Sequence, residues 1–212
     1  MKTTLMFSLL MLSLTVRAND PAYYEAMGQQ IKSVYTAQSV DELVKATNAL
    51  DRIGQAEKTK WEPNYYSAFG YIMMASREQD LTKKDGYLDQ ALERVKLASE
   101  LSKDNSEVLA LEGFVHMLRV SVDPASRGQR YSGMSMRAFD KALKANPNNP
   151  RALSLLAQMQ YGTAQFFGSS TTEPCGIAQK ALALFAAEKN ENPLAPRWGK
   201  EMTERTVKTC NP

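Results

Sequence analysis

Tyr87-Leu88-Asp89-Gln90-Ala91-Leu92-Glu93-Arg94-Val95-Lys96-Leu97-Ala98-Ser99-Glu100-Leu101 decides the fold. Its apolar positions 87, 88, 91, 92, 95, 98 and 101 recur at steps of three and four, which is one stripe of an amphipathic helix. The two alanines seven apart, Ala91 and Ala98, sit on that stripe and leave room for a second backbone to come close. Working outward, the same spacing returns along the chain. Ala49, Ala91, Ser135 and Ala178 form one register, and Ala56, Ala98, Ala142 and Phe185 follow it by seven positions each time. A third register, Gly28, Gly70, Gly113 and Ala157, precedes the first by 21 or 22 and recurs at intervals of 42, 43 and 44. A self-similar period in this range marks a stack of supersecondary units, each here a helical hairpin with one small residue on its first helix and two on its second.

Punctuation agrees with the period. Pro21, Pro63, Pro150, Pro174 and Pro196 stand where helices are expected to begin, since the missing N–H and fixed φ of proline are tolerated in a first turn. Ser39 with Glu42 reads as a capping box. The expected hairpins are 21 to 35 with 39 to 57, 63 to 77 with 84 to 102, 105 to 120 with 130 to 145, and 149 to 163 with 175 to 190. A ninth helix near 197 to 209 caps the stack. Alternating β runs are absent, so the fold class is all-α.

The run Ala142-Leu143-Lys144-Ala145-Asn146-Pro147-Asn148-Asn149-Pro150, together with the small-residue skeleton, resembles the tetratricopeptide repeat. The resemblance implies an α-solenoid of about four hairpins, with the difference that the interval inside each hairpin is nine or ten residues longer than in the usual 34-residue repeat. Val122-Asp123-Pro124, Arg127-Gly128, Phe167-Gly168 and Pro196-Arg197-Trp198-Gly199 are similar to exported tetratricopeptide proteins of the Bacteroidota type, a family without an assigned activity.

Residues 1–18 read as a signal peptide: Lys2, an apolar run from Leu5 to Val16, and small residues before a cut near Ala18. The apolar run is shorter than the roughly 20 residues a membrane span requires. Residues 19–212 are then a single repeat domain, periplasmic or secreted, with no membrane span. Removing Lys2 and Arg17 lowers Lys+Arg from 26 to 24 against 23 acids, so the net charge falls from +3 to +1. That balance gives no reason to expect nucleic acid as a partner. Cys175 and Cys210 enter an oxidising compartment, which predicts a disulfide between them rather than free thiols. Closing a loop of that length removes about 3 to 4 kcal/mol of unfolded-state entropy. Two cysteines and the single His116 cannot assemble a closed zinc site, so no metal and no cofactor is expected.

His116, among Phe114, Val115, Met117 and Leu118, reads as a structural core histidine. Phosphate-loop, serine-elbow and zinc-helix motifs are absent, which argues against an enzyme. The functional expectation is a scaffold for a protein or peptide partner. In the tetratricopeptide register the concave face carries Asn64, Tyr71, Met74, Phe114, Met117, Arg151, Gln158 and Tyr161. A second candidate surface is the edge formed by the lengthened loops near 78 to 85, 121 to 130 and 164 to 174, with Asp123, Arg127, Arg130 and Tyr131. The alternative is an enzyme or small-ligand protein whose site lies under that edge, using Asp123, Arg127 and Tyr131.

Overall fold

The computed structural model describes residues 21–189 and 191–210; the expected signal peptide lies outside them. Among the described residues there are nine helices and no strand. They are α1 (Pro21–Thr36), α2 (Val40–Ala56), α3 (Glu62–Arg77), α4 (Leu81–Leu101), α5 (Ser106–Val122), α6 (Pro124–Ala145), α7 (Pro150–Phe167), α8 (Thr172–Ala187) and α9 (Lys200–Cys210). Consecutive helices pair as α1 with α2, α3 with α4, α5 with α6 and α7 with α8, and each hairpin stacks on the next. The architecture is a tetratricopeptide-like α-solenoid.

Polar side-chain caps start α2, α4, α5, α6 and α7. The Ser39 hydroxyl accepts from the Glu42 N–H at 3.2 Å, as the capping box requires, but the Glu42 carboxylate accepts from the Gln38 N–H at 2.7 Å, one residue before the N-cap N–H expected from the sequence. Asp80, Asn105, Asp123 and Asn149 cap α4, α5, α6 and α7 through side-chain oxygens.

The small-residue registers meet at helix crossings in the inner hairpins. A Cβ built on Gly113 would run into the Phe139 ring, and one on Gly70 into Thr47. The Ser135 hydroxyl donates to the Gly113 carbonyl at 2.8 Å, and Ala91, Ala98, Ala142, Ala157 and Ala178 are completely buried. The first hairpin departs from the pattern. Gly28 and Ala56 are exposed there, where among the described residues no hairpin precedes α1.

One expectation is corrected. The extra length inside each hairpin does not form loops; it extends the helices. Here α4 begins at Leu81 and α6 at Pro124, and α7 continues to Phe167, so the links shrink to Glu78–Asp80, Asp123 alone, and Gly168–Thr171. Gly86, Gly128 and Gly133 lower helix propensity locally. The Asp80 and Asp123 caps, with Pro124 in the first turn, outweigh them. The ninth helix also starts later than expected, at Lys200, and Pro196 lies outside it.

Candidate functional site

In a stack of hairpins the first helices line the concave side. Here the link between α8 and α9 turns back across them. Trp198 stacks between Phe69 of α3, with ring centroids 5.1 Å apart, and Phe114 of α5, at 5.8 Å. Its indole N–H donates to the Tyr65 hydroxyl at 2.9 Å. The Tyr66 hydroxyl donates to the Leu194 carbonyl at 2.8 Å, and the Arg197 N–H donates to the Tyr35 hydroxyl of α1 at 3.1 Å. Residues 194–199 therefore form a strap that joins α1, α3, α5 and α7.

Arg151, at the start of α7, fixes the strap's last turn. Its guanidinium donates to Glu107 at 2.7 Å, to Glu188, and to the Trp198 carbonyl at 3.3 Å. The Glu107 and Glu188 carboxylates raise its pKa against the opposing effect of burial. Burial is also the main influence on Glu107 and pushes its carboxyl above the ordinary value, although Arg151 pulls it down. Gly199 has φ +105, and a Cβ there would meet Phe185 at 2.8 Å and Arg151 at 3.3 Å, so the strap turns into α9 where only glycine fits.

The eight concave residues read from the sequence divide accordingly. Asn64, Met74, Phe114 and Arg151 are buried, and Phe114 and Arg151 are covered by the chain's own strap. Tyr71 and Met117 are half-buried against the main core. Gln158 and Tyr161 instead line an open furrow of about 330 Å³ between α7 and α9, with Gly162, Met202, Arg205, Thr206 and Thr209. Nothing stands within 4 Å of a Cβ position on Gly162, so the floor is open there.

One turn beyond Gly162, in the same row of α7, is Phe166. It and Phe167 are 81 % and 72 % exposed and meet edge to face at 5.0 Å. In the sequence Phe167-Gly168 stands only as a family mark, and the pair as a surface was missed. A helix ending in two aromatics before a glycine was the available signal. Gly168 ends α7 in the left-handed conformation at φ 65.

The four edge residues are part of the framework. Asp123 caps α6, accepting from the Ser126 N–H at 3.1 Å. Arg127 pairs with Asp85 of α4 at 2.6 Å rather than with Asp123. Tyr131 stacks on buried His116 with centroids 6.0 Å apart, while Arg119 and Arg130 lie over its ring. These contacts knit the second hairpin to the third. Cys175 in the first turn of α8 and Cys210 at the end of α9 form a disulfide with Cα atoms 5.7 Å apart. Among the described residues no cluster of ligating side chains could hold a metal ion, and no helix is long and apolar enough to cross a membrane.

No protein-family model matches the chain, and no curated protein matches it. Among solved structures it is similar to the HusA haemophore from Porphyromonas gingivalis, with TM-score 0.80 and 29% identity over 92% of this chain and 95% of that one. It is also similar to a thermophilic tetratricopeptide protein of Thermus thermophilus, with TM-score 0.52 and 16% identity over 89% and 90% of the two chains. By fold and registers alike, the chain is a tetratricopeptide-like helical protein, similar over nearly its whole length to a Bacteroidota haemophore.

Proposed function

We propose that this chain is a non-enzymatic, extracytoplasmic carrier that holds a planar, amphipathic ligand of the haem class in the α7–α9 furrow, against Phe166. The observation that carries the reading is the exposed Phe166–Phe167 pair one helical turn beyond a furrow containing Tyr161, Met202 and Arg205. A tetrapyrrole is an apolar disc with carboxylates on one edge. Aromatic and thioether side chains suit its face, and a guanidinium suits its carboxylates. The similarity to a haemophore lends the ligand class. His116 is buried in α5, so iron ligation in this furrow would fall to the Tyr161 hydroxyl or the Met202 sulfur.

The extracytoplasmic setting rests on the disulfide and on the signal-like residues 1–18. N-terminal sequencing of the mature protein tests the cut near Ala18. Titration with haemin tests the ligand. The reading expects saturable one-to-one binding with a shifted Soret band, weakened by Arg205→Glu; a linear, non-saturating response from the oxidised chain would sink it.

A protein partner is the second reading. An extended peptide finds its concave trough filled by residues 194–199, but Leu81, Phe166 and Phe167 expose apolar area along the intra-hairpin edge. Co-purification from the native envelope, with Phe166→Asp as the control, tests a partner docked on that edge.

A further inference from the structure

We infer that the Cys175–Cys210 disulfide holds α9 in place as one wall of the ligand furrow, so that the site is formed only in the oxidised chain. The inference rests on the carrier reading above and adds its regulation. The furrow has two walls, Gln158, Tyr161 and Gly162 from α7 and Met202, Arg205, Thr206 and Thr209 from α9. The second wall packs mainly on α8, to which the disulfide ties its far end. Thr203 is the one buried residue of α9, and its hydroxyl meets the Ser154 hydroxyl of α7 at 2.7 Å. Met202 packs on the core from the first turn, next to the strap. From Arg205 onward the side-chain hydrogen bonds among the described residues stay inside the helix, as with Thr206 to Met202 and Thr209 to Arg205. Among the described residues no ion pair ties α9 to a neighbour.

An isolated helix of this length is marginal in water, because nucleation is costly and few bonds follow it. The strap anchors the N-terminal end of α9 at Trp198 and Gly199, and the disulfide anchors the other end at Cys210. The furrow residues Arg205, Thr206 and Thr209 lie between Thr203 and Cys210, on the half that depends on the bridge.

Both cysteines are half-buried, which leaves the bridge open to attack by a small dithiol. One thiolate of the dithiol attacks a sulfur of the bridge, the S–S bond breaks, and the departing cysteine thiolate takes up a proton. The second thiolate of the reagent then displaces the other cysteine, which is also protonated, and the reagent leaves as a cyclic disulfide. Two electrons and two protons have passed to the protein.

The test uses the full chain. Amide hydrogen exchange is compared in the oxidised protein, the dithiol-reduced protein and the double variant Cys175→Ser/Cys210→Ser, and haemin is titrated into the oxidised protein and the serine variant. The expected result is exchange about tenfold faster over residues 204–210, unchanged protection in α1 to α7, and haemin affinity about tenfold weaker in the variant. Unchanged exchange over 204–210 overturns the inference. So does lost protection throughout α1 to α7, or fast α9 exchange with unchanged haemin affinity. If the serine variant does not fold, the reduced natural chain decides by exchange. Failure of the oxidised chain to bind haemin sinks the carrier reading instead, and exchange then still reports whether the bridge holds α9.

Discussion

Trp198 donates its indole N–H to the Tyr65 hydroxyl at 2.9 Å, joining two residues 133 positions apart in sequence. Both are buried, and the indole also lies between the Phe69 and Phe114 rings. Trp198→Ala removes this filling from the concave side and is expected to lower stability by about 3 to 5 kcal/mol. Trp198→Phe keeps an aromatic there but loses the N–H, and costs about 1 to 2 kcal/mol. Urea unfolding of the two variants checks both the size and the order.

Arg151 is 3 % exposed and bonded to two carboxylates. Arg151→Met leaves Glu107 buried without its cation and is expected to cost about 3 to 5 kcal/mol, whereas adding Glu107→Gln to the same chain recovers part of the loss. Equal stability of the single and double variants would refute the coupling.

Two glycines of one register should respond with opposite signs. Gly113→Ala drives a methyl into Phe139 and is expected to destabilise by about 1 to 3 kcal/mol. Gly28→Ala meets nothing on an exposed helix face and is expected to stabilise by about 0.5 to 1 kcal/mol. Thermal unfolding of the pair separates packing from backbone entropy.

Glu112 faces the His116 Nε2 at 3.8 Å, and that partner holds its carboxyl below the ordinary value of 4.5. A depressed folded pKa contributes stability that is complete above the unfolded value and is lost as pH falls through the folded one. Glu112→Gln is therefore expected to flatten the loss of stability below pH 4.5. Glu107, with its raised pKa, works in the opposite sense, its contribution being present below 4.5 and fading as pH rises through the folded value. Urea midpoints taken from the acid range to neutrality, in the natural chain and in Glu112→Gln, measure the difference.

Phe166→Ala removes a side chain that is 81 % exposed, so stability should change by less than about 0.5 kcal/mol. Haemin affinity should fall about tenfold, as expected for one lost aromatic contact worth roughly 1.4 kcal/mol.

The hairpins were legible because their signals are local: the cap at Ser39, the helix-opening prolines Pro63 and Pro150, and stripes such as Leu88, Ala91, Val95 and Ala98, which are buried as the period requires. The pairing of Cys175 with Cys210 was legible from parity and compartment. The strap was not. Trp198 is placed by Tyr65, Phe69, Phe114 and Arg151, all far from it in sequence, and no periodicity within residues 191–199 announces those contacts. For the same reason Phe114 and Arg151 looked like free groove residues. The early starts of α4 and α6 were hidden because the added length inside each hairpin read as loop, although Asp80 and Asp123-Pro124 are ordinary helix openings. Gln158 and Tyr161 were placed on the concave side, and what was missing was α9 standing opposite them.

Open repeat arrays unfold from their ends and tolerate added or deleted units, because each unit meets only its neighbours. Residues 194–198 break that independence by reaching Tyr35, Tyr66, Phe69 and Phe114, in three different hairpins. A duplicated hairpin inserted after α4 would carry Phe69 one unit away from Phe114 and pull the indole's two stacking partners apart. The number of units is thereby counted by a single side chain, and the whole molecule should melt in one cooperative step.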